Sequence, residues 1–343
     1  MPLGEDLSAR DLRVLEAIIR AYIERAEPVG SQAVARDSGL GVSAATIRNA
    51  MGELETKGYL YHPHTSAGRI PTDRAYRVYV DHLMRLAPPT RQDRRALRDE
   101  LASERTAVEE ILRRAAQVLG VLTQELGVAV GPALDEVVLD RLELVPVAAE
   151  RLLLVFELRS GAVRTIFVQV PGQIARSAVD QVQRTLNERL AGHTLREIRA
   201  TLPERLRGAP TGEHGRELLN IFIAEGEELF GVPDGQVVLG SAQLLVDQPE
   251  FASNERMREL FVLTDRRDLL AAELERRRRE GLSITIGAEN VDARLNGFTL
   301  VTSSYTTGGL TGVIGVMGPT RMPYDKIIGL VTHTSRLVEG LLE

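Results

Sequence analysis

Between Ser43 and Thr56 stand side chains whose chemistry matches the edges of base pairs. The Arg48 guanidinium can donate twice to guanine, the Asn49 amide can both donate to and accept from adenine, and the methyl groups of Ala45 and Thr46 can meet a thymine methyl. One helix would have to carry them all. With Ile47 turned inward, a rotation of about 100° per residue brings Ala45, Asn49, Gly52 and Thr56 outward and leaves Thr46 and Arg48 on the flanks. Acids occur only at Glu53 and Glu55, away from the leading end, where a carboxylate would oppose phosphate. Ser43 is placed to cap this helix, and the free amides behind it suit a phosphate oxygen.

A second polar group follows at His62, His64, Thr65, Ser66 and Arg69, in a loop that could reach the DNA backbone or minor groove. From Ser43 to Arg77 the bases Arg48, Lys57, Arg69, Arg74 and Arg77 exceed the acids Glu53, Glu55 and Asp73 by two, in a chain whose net charge is -6. So small an excess predicts weak nonspecific affinity for one module and a need for two modules on one DNA site. A plain helical hairpin would share much of this pattern. The outward face and the polar loop are what favour DNA.

The elements that must hold these residues follow from periodicity and capping. Ser8 and Asp11 form a capping box, and Leu12, Leu15, Ile18, Ile19, Tyr22 and Ile23 predict a helix to about Arg25. Ser31 opens a short second helix that ends near Gly39, and Ser43 opens the third, which Gly58 ends. Tyr59-Leu60-Tyr61 predicts a strand, the polar loop a wing, and Pro71-Thr72-Asp73 the start of a helix reaching about Leu86. From Thr90 to Leu126 one long helix is predicted, with Leu101, Val108, Ala115 and Leu122 seven apart; it either crosses its own domain or pairs with a second chain. Strands are predicted over 136–144, 152–158 and 163–170, then a mostly helical block at 173–253 that ends in an apolar strand over 237–246. Further strands over 283–286, 298–304 and 311–317 precede a last helix over 324–342. Strands on both sides of a helical block predict an α+β chain whose sheet domain is interrupted by an insertion.

Composition narrows the function classes. The chain has 343 residues and no cysteine, which removes disulfides, thiolate metal sites and cysteine nucleophiles. No apolar run is long enough to span a membrane, and Met1–Arg10 does not read as a secretory signal, so the expected location is the cytoplasm. The glycines over 39–44 follow a helix and not a strand, which argues against a dinucleotide site. Gly308, Gly309, Gly312, Gly315 and Gly318 lack the lysine and hydroxyl of a phosphate loop and are expected to serve strand turns and sheet packing. Arg276–Arg279 reads as a solvated helix end, whereas Arg321 beside Gly318 and Pro319 could fix an interdomain contact or bind an anion. No metal site, cofactor or catalytic constellation is expected.

Glu27-Pro28-Val29-Gly30-Ser31, Ala44-Ala45-Thr46-Ile47-Arg48-Asn49 and the run from Pro63 to Thr72 resemble the N-terminal motifs of the heat-inducible transcription repressor HrcA family. Ile286-Gly287-Ala288-Glu289-Asn290 and Gly318-Pro319-Thr320-Arg321-Met322 are similar to its C-terminal motifs; Ala50 and Pro323 depart from it. The resemblance implies a winged helix-turn-helix over 1–86 and a GAF-like domain with its long linker helix over 90–172 and 254–343. It also implies a dimerising insertion over 173–253. It further implies a homodimer that binds an inverted-repeat operator upstream of chaperone genes, with activity promoted by the chaperonin. On that reading Ser43, Thr46, Arg48 and Asn49 address the major groove, and His64, Ser66 and Arg69 the flanking DNA. A metabolite-sensing regulator with a ligand in the GAF-like domain is the alternative.

Overall fold

The computed structural model describes the chain except residues 1–3, 5, 65–67, 102–107, 133–136, 160, 162, 173, 211, 231–236, 308, 309 and 343. Helices α1 (Ala9–Arg25), α2 (Ser31–Asp37) and α3 (Ala44–Thr56) open the chain. The capping box at the start of α1 is formed: the Ser8 hydroxyl accepts from the Asp11 amide at 3.1 Å and the Asp11 carboxylate accepts from the Ser8 amide at 3.1 Å. Gly30, not Ser31, precedes the first turn of α2, and Ser31 is buried instead. Gly58 ends α3 at φ +78°, a backbone conformation that favours glycine. Strands β1 (Leu60–Tyr61) and β2 (Ile70–Pro71) pair antiparallel, and Arg69 forms an isolated bridge with Val29. A Cβ on Gly68 would fall 2.5 Å from the Val29 carbonyl carbon, so only glycine admits that close approach. Next, α4 (Asp73–Val78) continues through a wider π-type turn to Leu83.

The predicted long helix is two helices, α5 (Arg91–Leu101) and α6 (Val108–Thr123), which pack against each other. Residues seven apart on one straight helix would be about 10.5 Å apart and could not pack so. The seven-residue seam fails accordingly: Leu101 and Ala115 are buried while Val108 is 38% exposed. Strand β3 (Leu126–Val130), passed over by the helical reading, is wholly buried.

After it come β4 (Leu139–Ala148), β5 (Arg151–Leu158), β6 (Val163–Gln169), α7 (Arg176–Leu190), α8 (Leu195–Leu206), α9 (Glu213–Ala224) and α10 (Gly226–Phe230). Then follow β7 (Val237–Leu239), α11 (Gln243–Val246), α12 (Asn254–Asp265), α13 (Arg267–Arg276), β8 (Leu282–Ile286), β9 (Phe298–Thr307), β10 (Leu310–Pro319) and α14 (Tyr324–Leu342). The apolar run over 237–246 is thus a short strand and a helical turn. Its chain leaves the sheet at Gly240, whose amide still donates to the Gly127 carbonyl at 2.8 Å.

The strands make separate sheets. Five are ordered β7-β3-β10-β9-β8, with β3 antiparallel to β7 and β10, and β8 antiparallel to β9. Alternate residues feed two cores. Ala129, Val301, Ile314 and Val316 join α5, α6, α14 and the first four helices in one continuous apolar cluster. Val128, Leu300, Val313 and Met317 instead meet Leu260, Leu263, Leu270 and Leu274 of α12 and α13. This alternation is what a sheet covered on both faces requires. The opening helices share a core with the five-stranded sheet, and both belong to one compact unit.

The second unit contains β4, β5 and β6, an antiparallel three-stranded sheet whose even-numbered residues Leu142, Leu144, Leu154, Phe156 and Val168 share a core with Val179, Val182 and Leu186. The Asn187 amide donates to the Leu142 carbonyl at 2.7 Å and accepts from the Leu142 amide at 2.8 Å; Gln183 accepts from the Leu144 amide at 2.8 Å. Side chains of α7 thereby satisfy the free edge of β4. The compact units divide at 130/131 and 236/237 and again at 305/306 and 312/313, so β4–β6 group with the helices that follow them. The physical reason is that α7–α10 and β4–β6 bury one another's apolar faces.

Candidate nucleic-acid interface

On α3 the inward positions Ile47, Ala50, Met51 and Leu54 are all buried, which fixes the rotation of the helix. Ala45, Arg48, Asn49 and Thr56 are exposed in consequence, with Thr46 and Gly52 partly covered. Arg48, Asn49, Gly52, Glu53, Thr56 and Lys57 line a shallow open depression along this face. The Ser43 hydroxyl accepts from the Thr46 amide at 3.2 Å and lies 3.0 Å from the Thr46 hydroxyl, capping α3. Removing such a cap costs about 1 kcal/mol. Its exposed position leaves the oxygen open to a further donor or acceptor.

The polar loop divides. His64 is exposed, Arg69 is half-buried, and Ser66, like Thr65, lies outside the described residues. Glu55 of α3 bridges to the loop: one carboxylate oxygen meets His62 Nδ1 and the other meets Arg69 at 2.8 Å. Arg69 is therefore held against α3, and its buried Nε has no partner.

Sequence alone missed this sharing of charge. Lys57 donates to the Asp6 carbonyl at 2.7 Å. Arg74 lies 4.4 Å from the centroid of the Tyr59 ring and donates to its hydroxyl at 3.1 Å. Arg77 pairs with Glu289. Among the described residues of this segment, Arg48 alone of the five bases has no protein partner. The local excess of two charges is therefore not a free basic patch. What remains is one unengaged guanidinium, one amide and a helix N-terminus without acids in its first turn.

The arginine run at 276–279 is a further correction. Arg277 and Arg278 are buried, and Arg277 donates to Glu273 at 2.8 Å, so the middle of the run is an internal ion-pair cluster, while Arg276 and Arg279 are exposed as a solvated helix end would have them. The pairing with Glu273 is at local helical spacing, but a further partner that Arg277 meets, the Thr285 hydroxyl accepting at 2.5 Å, belongs to another element.

A second depression, open and lined by Arg91, Arg94, Arg95, Arg98 and Asp99, lies on α5. No helix among the described residues is long and apolar enough to cross a membrane.

Comparison with known proteins adds an independent line. The family model described as HrcA protein C terminal domain matches residues 109–328. A heat-inducible transcription repressor HrcA of Chlorobium phaeobacteroides strain BS1 is 38% identical, with 96% of each chain covered. Another of that name, from Geobacter sulfurreducens, is 35% identical over 98% of this chain and 99% of its own. Among solved structures, the crystal structure of a hypothetical protein is similar with a TM-score of 0.68 at 25% identity, covering 98% of this chain and 99% of that one.

Proposed function

The chain belongs to the family of heat-inducible transcription repressors HrcA, and from that premise we propose that it represses by seating α3 of each of two subunits in the major groove of an inverted-repeat operator. On this reading α1–α4 with β1 and β2 form a winged helix-turn-helix and the five-stranded sheet domain is the GAF-like domain. One observation supports it above the others: the outward face of α3 is bare, acid-free at its leading end and carries an unengaged Arg48 beside Asn49.

Roles follow from what each side chain is free to do. Arg48 and Asn49 read bases, Ala45 and Thr46 offer methyl groups, and Ser43 with the first amides of α3 takes a phosphate. His64 and Ser66 address flanking DNA, whereas Arg69 first positions the loop through Glu55. With so little free charge on one head, two heads on symmetric half-sites supply the affinity.

Pairing is proposed for the unit containing β4–β6. The odd-numbered face of that sheet leaves Val145, Val147, Val163 and Phe167 exposed, with Phe167 in register with Leu153 and Leu153 with Val145. Two such faces cover one another in an isologous dimer. Chaperonin is proposed to raise the fraction of operator-competent dimers in the cytoplasm.

The test is selection of bound fragments from random DNA, followed by Arg48→Ala on the selected sequence. A bidentate contact is worth about 1–3 kcal/mol, so each head should lose roughly 5- to 150-fold and relax its preference at one base pair. Unchanged affinity and preference with the protein still folded would reject the role of α3.

A further inference from the structure

The motifs at 286–290 and 318–322 are far from the proposed DNA face in sequence, yet both end on the helices that carry it. Arg77, on α4, donates through Nε to Glu289 at 2.8 Å, engages the second oxygen of that carboxylate through NH2, and donates from NH2 to the Ile284 carbonyl at 2.7 Å. Beside it, Asp73 accepts from the Ala288 amide at 3.0 Å. Gly287 admits this carboxylate: its φ is +54°, and a Cβ there would fall 2.0 Å from Asp73 Oδ2.

The second attachment is at the other end of the head. Arg321 engages both oxygens of Glu250, with NH2 at 3.0 Å, and its NH1 donates to the Ile23 carbonyl at 2.8 Å. Ile23 is in the last turn of α1, where carbonyls have no partner within the helix and the helix dipole favours a cation. A third contact packs the Tyr76 ring against the Tyr324 ring, centroids 5.8 Å apart, both buried.

The Arg77 and Arg321 side chains are 16% and 14% exposed and their carboxylates on Glu289 and Glu250 33% and 23%, so each fork is partly shielded from water. A two-pronged guanidinium pair fixes direction as well as distance. A head tethered only by the chain at Ala87-Pro88-Pro89 could swivel. One held through α4, through the end of α1 and through an aromatic pair cannot turn without breaking a contact.

We propose that Arg77, through Glu289, and Arg321, held by Glu250 and bonded to the Ile23 carbonyl, are positioning residues that set the direction of α3 relative to the five-stranded sheet, so that half-site spacing is read through these two contacts. The proposal rests on the DNA-binding reading above and touches no base-contacting residue. It also accounts for the two C-terminal motifs, since Gly287 and Glu289 receive α4, and Arg321 receives α1.

The experiment uses the full-length chain and the DNA selected above, with half-sites at the selected separation, at separations changed by one and two base pairs, and singly. The parent protein should lose at least about tenfold when the separation changes by two base pairs. Arg77→Gln combined with Arg321→Gln should lose five- to tenfold at the selected separation, change less than twofold on the single half-site, and respond weakly to spacing. Arg77→Glu alone should flatten the spacing response, and adding Glu289→Arg should restore its steepness. Because the chain has no cysteine, spin labels at Glu27→Cys and Glu280→Cys report the head direction without DNA, with labelled chains diluted into unlabelled ones. The parent should give one narrow distance, and the double glutamine variant a broad one. A narrow distribution and an unchanged spacing response in that variant would overturn the proposal. If the parent binds neither two-site nor single-site DNA, the DNA reading fails while the label distances still decide whether the forks hold the head.

Discussion

Replacing Glu55 by Gln tests the claim that the protein neutralises its own DNA-facing loop. Glu55 contacts both His62 and Arg69, with side-chain exposures of 26% for Glu55, 34% for His62 and 25% for Arg69. In the Glu55→Gln protein the amide side chain would keep one carbonyl acceptor and lose the charge, so the shape is retained while Arg69 is released. A partly exposed pair contributes about 0.2–1 kcal/mol, and the head should therefore stay folded with a small loss of thermal stability. One cation freed per head to meet one phosphate steepens the dependence of log K on log salt by about 0.9, and by about 1.8 for a dimer. At roughly 0.1 M salt that corresponds to nearly tenfold tighter nonspecific binding per head. Specific binding should gain no more than nonspecific binding, so selectivity does not rise, since a phosphate contact carries no sequence information. Titration of nonspecific and selected duplexes at several salt concentrations measures both quantities. An unchanged slope in a folded variant would refute the masking role of Glu55, and a shallower slope would show that Arg69 meets phosphate only while the loop is latched to α3.

Two other outcomes follow from burial and charge. Val145→Glu with Phe167→Glu places charge on side chains that are 41% and 59% exposed in the single chain; sedimentation should show monomers with the helical content intact, and undiminished dimers would reject this face. His333 is held below the ordinary imidazole pKa by burial first and then by Arg94, Arg98 and Arg336. The folded protein therefore binds fewer protons there than the unfolded one, and the stability it confers above the unfolded pKa is lost as pH falls through about 6.5 toward the folded value. His333→Gln should lose less thermal stability than the parent between about pH 7.5 and 5.5; equal losses would show that His333 does not carry the effect.

Local rules were enough where the deciding neighbours lie within one or two turns. The capping box at Ser8 and Asp11, the inward stripe of Ile47, Met51 and Leu54, the stop at Gly58 and the final helix are all in the chain where spacing and caps put them. The same rules put Arg48 and Asn49 on a bare face, because a helix with one buried stripe leaves its opposite side to solvent.

Tertiary structure decided everything that depends on distant partners. Arg77 meets Glu289 across 212 positions and Arg321 meets Ile23 across 298, and no local period encodes either pairing. Charge counting found five bases, but only the fold shows that four of them are engaged. The apolar pattern of β4–β6 fits a half-covered sheet in either unit. Their allocation followed from α7 closing the edge of β4 and from the helices that bury their even-numbered face. Composition and periodicity determined which surfaces are made, since those are properties of neighbouring residues. Which of those surfaces remain open is set by long-range contacts, whose energies depend on positions that only folding brings together.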